Sequence, residues 1–167
     1  MFGLTTLGAV HTAIGLVALV CGYGSLLRDG AIDPRRRMGQ VYLWTTVLTC
    51  LTGFGIFQRG GFNEAHALGV LTLLVLGAAL LPLRARWWPY VQTVLWTLTL
   101  FFHMVPGLTE TFTRLPLGAP LFTGPDDPRL QATVGAVFGV FAVVMLAQVL
   151  RQRRRAKPSH LPHRSTA

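Results

Sequence analysis

The chain reads as an all-α polytopic transmembrane bundle of five helices, with its N-terminus outside and its C-terminus in the cytoplasm. Three observations predict this. Of the 167 residues, 51% are hydrophobic and only 13% are charged, whereas a soluble domain carries about 25% charged residues. Five runs are apolar and long enough to cross a bilayer core, which takes about 20 helical residues. The basic residues between these runs fall almost entirely on one side of the implied membrane.

The spans are expected at about 4–27, 40–57, 65–83, 88–106 and 131–150. Each must be helical, because lipid offers backbone groups no hydrogen bonds and the alternation of a barrel strand is absent. The first connection holds Arg28, Arg35, Arg36 and Arg37, and the third holds Arg84 and Arg86. The end of the chain holds Arg151, Arg153, Arg154, Arg155, Lys157 and Arg164, so twelve of the 15 basic residues share a side. Arg59, Arg114 and Arg129 lie opposite, among Glu64, Glu110, Asp126 and Asp127. The positive-inside rule makes the arginine-rich side cytoplasmic, an odd number of spans is then required, and the expected location is a bacterial plasma (inner) membrane. Trp87 and Trp88, next to Arg86, fit an interfacial aromatic belt.

The net charge of +9 is therefore topological, and no nucleic-acid partner is expected. The first basic residue is Arg28, so the positive n-region of a cleavable signal peptide is missing. Cys21 and Cys50 each sit in an apolar run outside any CxxC pattern, which makes them small apolar core residues. Residues 1–150 form one transmembrane domain, and residues 151–167 form a basic cytoplasmic tail, disordered beyond its first turn. The connection over residues 107–130 is long. With Phe112, Leu115, Leu117, Leu121 and Phe122, it is more apolar than a disordered linker, and it reads as an ordered external cap.

Helical spacing places Gly8, His11, Gly15, Ala18 and Gly22 on one stripe of the first helix. Small residues there either admit a neighbouring helix or clear space for a flat ligand beside the histidine. The second helix aligns Gly39, Tyr42, Thr46, Thr49 and Gly53, an interior hydrogen-bonding stripe or a polar cavity lining. The fifth carries Gly135 and Gly139 as a GxxxG packing face.

The topology brings His11, His66 and His103, from three different helices, to the external side, with Glu64 and Glu110. An ionisable or coordinating side chain in lipid is costly and marks a candidate site. Three chemistries fit. Two histidines, with His11 and His103 favoured because both lie inside spans, can ligate haem b axially. All three can hold a divalent metal with an open position. Histidines beside a carboxylate can shuttle protons or hold a quinone. In each, Glu64 and Glu110 would support the ligands or handle protons. Against these stands a purely structural role, with the histidines hydrogen-bonding across helices to threonine or backbone groups and no cofactor bound. The chain contains no HExxH, phosphate-binding glycine loop, GxSxG or dinucleotide fingerprint.

The leading expectation is a histidine-lined cofactor or metal site serving haem-linked electron transfer. The second is an accessory or assembly subunit that holds other membrane subunits through Gly135/Gly139 or the 107–130 loop. The third is a small oligomeric channel or transporter lined by Tyr42, Thr46 and Thr49.

The run His11-x-x-x-Gly15, Ala18-Leu19, Gly22 and Arg35-Arg36-Arg37-x-Gly39-x-Val41-Tyr42 resembles a bacterial family of small polytopic membrane proteins without a settled activity. The likeness covers the first half of the chain and implies fold and location only. The family often has a second histidine where this sequence has Arg36. Cytochromes of the b561 type pair histidines in a related way, but their fuller motif set is missing.

Overall fold

The computed structural model describes residues 5–57 and 61–156. Arg59 and the tail from Lys157 onward lie outside them. Five helices, and among the described residues no strand, make up the fold: α1 Thr6–Asp29, α2 Arg37–Gly53, α3 Glu64–Leu80, α4 Trp88–Phe112 and α5 Pro128–Arg155.

The helix ends follow local chemistry. The Thr5 side chain accepts from the Gly8 amide at 3.1 Å and starts α1. Gly30, at φ +76°, ends it and returns its N–H to the Leu26 carbonyl, a left-handed turn that glycine makes without a Cβ penalty. A Cβ at Gly39 would overlap the Asp33 backbone carbonyl, so the tight entry into α2 requires glycine there. Asn63 caps α3 by accepting from the Ala65 and His66 amides. Asp127 caps α5, with Pro128 in the first turn, where a missing N–H costs nothing.

Two boundaries differ from the sequence expectation. Pro106 lies inside α4, which runs on to Phe112, so the connection to α5 shrinks from 107–130 to 113–127. Proline removes one helical hydrogen bond and crowds the preceding turn, but neighbouring helices and threonine hydroxyls compensate in apolar bundles. The carbonyl that loses its donor is that of Phe102; the Thr109 and Thr113 hydroxyls donate to the Val105 and Thr109 carbonyls of the following turns, at 2.9 and 2.6 Å. At the other end, α5 carries the arginines through Arg155 as helix.

Three helices, α1, α4 and α5, are long and apolar enough to cross a membrane. The 17 residues of α2 and of α3 rise about 25 Å each, at the lower limit for a span. Large apolar side chains face outward, among them Val20, Leu51, Leu74, Val143 and Leu146. Such a surface is a liability in water and suits lipid.

Helices α1 to α4 form a ring of neighbours, α1 on α2, α2 on α3, α3 on α4 and α4 back on α1, while α5 packs outside on α4. Ala18, Tyr42, Leu76, Trp96 and Leu100 build the core. Interhelical hydrogen bonds lock it: Tyr42 Oη with Thr99 Oγ1 at 2.8 Å, Thr97 Oγ1 to Gln148 Oε1 at 2.9 Å, and Gln92 Nε2 to the Ala79 carbonyl at 2.9 Å. Tyr42 and Thr46 are wholly buried in this core. Gly135 and Gly139 turn away from the bundle, and a Cβ at either would meet nothing within 4 Å. The GxxxG face therefore packs against no other described helix of this chain.

Candidate functional site

Where α1 and α2 pack tightly, glycine is responsible. A Cβ on Gly22 would come within 2.7 Å of Leu100 Cδ1 and 3.1 Å of the Tyr42 ring. Toward the Thr6 end the same four helices diverge around a cavity of about 470 Å³, within the range of small-ligand pockets. Its walls are Gly8, His11 and Gly15 from α1, Thr49 and Gly53 from α2, His66 and Gly69 from α3, and His103, Gly107 and Glu110 from α4. The antiparallel ring thus brings all three histidines to one chamber. Glu64 is exposed in the first turn of α3 and lies outside the lining.

His11 is held across the helix pair. Its Nδ1 lies 3.0 Å from Thr52 Oγ1. The hydroxyl hydrogen of Thr52 is committed to the Leu48 carbonyl at 2.8 Å, so Thr52 accepts from His11 Nδ1–H. The ring also hydrogen-bonds the Thr49 backbone. Gly53 makes room for the ring: a Cβ there would lie 3.2 Å from His11 Cε1.

His103 is buried, at 8% exposure. It hydrogen-bonds the Thr99 backbone one turn earlier, while its Nε2 is buried without a partner. The ring lies 6.1 Å from Tyr42, centroid to centroid. Because α4 continues past Pro106, His103 sits about two and a half turns from the helix end rather than one. Pro106 and Phe102 both line the cavity, so the wall lacks one backbone donor at the histidine's own level.

His66 lies in the first turn of α3. It is 4% exposed and completes the α3 capping box with Asn63. Asn63 Oδ1, fixed by the two backbone amides it accepts, lies 3.0 Å from His66 Nδ1. The rings of Phe54, Phe57 and Phe62 surround the imidazole at centroid distances of 6.4, 5.1 and 5.4 Å. Its Nε2, like that of His103, is buried and unpartnered.

All three imidazoles thus tie one nitrogen to the polypeptide, as metal-ligating histidines do. A buried polar atom without a partner is costly, and two such atoms belong to this chamber's histidines. Among the described residues no group of three or more His, Cys, Asp or Glu side chains is close enough to hold one metal ion. The rim carries an ion pair, Arg114 Nη2 to Glu110 Oε2 at 2.5 Å. Arg114 also lines the cavity, whereas a helix ending at 106 places it in the connection. The Glu110–Arg114 spacing marks one helix face only once the helix is allowed to run through Pro106.

Comparisons with protein-family models, with curated proteins and with solved structures give no match. The resemblance of the first half to a small polytopic family therefore stands on its residues alone.

Proposed function

We propose that this chain is a five-span membrane protein that binds a cofactor in the histidine chamber near the external face, with haem b held by His11 and His103 for electron transfer. The observation that carries the reading is the pair of imidazoles on α1 and α4, each anchored through one nitrogen, lining the same cavity, with His103 Nε2 buried and unsatisfied. Four-helix cores host cofactors between facing helices in this way. Bound there, haem would supply one-electron chemistry. The protein would supply the two nitrogens, the flat floor left by Gly8 and Gly15, and exclusion of water by the apolar wall. His66 serves as wall and cap. Glu110 and Arg114 supply the polar rim.

The arginine asymmetry supports an external chamber and a cytoplasmic α5 end, and it requires α2 and α3 to cross with α1, α4 and α5. A second reading, an accessory subunit without chemistry, is favoured by one observation: the small-residue face at Gly135 and Gly139 is bare.

The test is an optical spectrum of detergent-purified protein expressed with haem supply, beside His11→Ala and His103→Ala. A Soret band in the parent, lost in both variants, is expected. A colourless parent, or a band that survives both substitutions, would overturn the haem assignment.

A further inference from the structure

The far end of α5 forms a second concavity, of about 450 Å³, lined by Ala147, Leu150, Arg151, Arg154 and Arg155. These residues follow i, i+3, i+4, i+7 and i+8 spacing and so share one helix face. The face changes character along its length. Val143, Leu146 and Leu150 are exposed apolar side chains at 66, 59 and 44% exposure, and one turn further the surface becomes three exposed guanidinium groups. No carboxylate is among the lining residues.

The cationic end is held in place. Gln148 Nε2 donates to the Gly30 carbonyl at 3.0 Å and its Oε1 accepts from Thr97. The Arg151 guanidinium lies over Gly30. Gln148 and Arg151 thereby tie this stretch of α5 to the end of α1.

We infer that this groove binds one anionic phospholipid, its phosphate between Arg151, Arg154 and Arg155 and an acyl chain along Leu150, Leu146 and Val143. Charge and shape both point to that occupant. Guanidinium groups pair with phosphate through directed, charge-assisted hydrogen bonds, and the apolar track continues in the direction a lipid chain would take. A soluble anion would use the cationic half alone. The inference rests on the chain being embedded in a bilayer, and it is independent of any cofactor.

The experiment is native mass spectrometry of the detergent-solubilised protein with phosphatidylglycerol or phosphatidylcholine of identical chains. Phosphatidylglycerol is expected to be retained at least tenfold better. The preference should fall about fivefold for each arginine removed in Arg154→Gln/Arg155→Gln, which leaves the Arg151 contact with Gly30 intact. It should persist in Arg84→Gln/Arg86→Gln, which removes equal charge elsewhere. Equal retention of the two lipids, equal loss in both double variants, or displacement by an equal concentration of inorganic phosphate would each overturn the inference. A chain that stays monodisperse in water after detergent removal would instead sink the membrane reading beneath it.

Discussion

The two halves of the α1–α4 ring use the same sequence device for opposite ends. In one half, Gly22 brings α1 so close to α2 and α4 that a single methyl group would collide with Leu100 and crowd Tyr42. In the other half, Gly8 and Gly15 face a chamber, and a Cβ at Gly15 would make only ordinary contact with Thr49 at 3.6 Å. Glycine in a membrane helix is therefore ambiguous until its neighbour is known. It admits a backbone where a neighbour is present, and it leaves a cavity where the neighbours diverge.

Substitutions break this comparison in graded ways. The largest effect is expected at the closed end. Gly22→Ala forces Leu100 and Tyr42 to shift and should cost about 1–3 kcal/mol, read as a lowered thermal unfolding midpoint in detergent. Gly15→Ala should change stability by less than about 0.5 kcal/mol while narrowing the chamber. If the two variants behaved alike, the contrast between the halves would be wrong.

Next in size is Tyr42→Phe. It deletes the hydrogen bond to Thr99 at 2.8 Å in the fully buried core, with an expected cost of about 1 kcal/mol. A denaturation curve superimposable on the parent's would show that the bond contributes nothing net.

The chamber should show the reverse pattern. His103→Leu removes the unpartnered Nε2 and fills the site with an apolar side chain, so the cofactor-free protein should be as stable as the parent or slightly more so, with ligand binding lost. A strongly destabilised His103→Leu protein would argue that the histidine is structural.

The smallest effect is expected at the connection between α4 and α5. Arg129, hydrogen-bonded to Asp127, together with the Thr123 and Arg129 amides, holds the Asp127 carboxyl far below the usual carboxylate range. A depressed folded-state pKa adds stability that is fully present above the unfolded value, about 3.9, and is lost as pH falls through the folded value. The turn should therefore keep its order well below pH 4, and Asp127→Asn should abolish that part of the acid dependence. Amide exchange in residues 113–127 would read it. At this connection Phe122 packs edge-on against Phe112 at 5.9 Å and under Arg129 at 5.6 Å.

Much of the fold was legible because apolar runs and punctuation are local properties. The five apolar runs return as α1 to α5 with ends shifted by a few residues. Pro106 misled for the same reason. Read locally it stops a helix, but α4 continues through it, with Phe101 and His103 buried against the rest of the bundle. The gathering of the three histidines at one end of the bundle was also legible, since alternating helix direction and span order imply it. The surroundings of His66 were not: Phe54 and Phe57, just past the end of α2, reach its ring, which depends on how α2 and α3 pack.

The sequence by itself determined five helices, a lipid-suited surface and the end of the bundle where the histidines gather. These follow from periodicity, length and charge, which need no partner to be read. Only the tertiary structure decided which glycines touch a helix and which face a chamber, which GxxxG face stays bare, and which imidazole nitrogens are left unpaired. Those properties belong to distances between helices, and side chains far apart in the chain set such distances together.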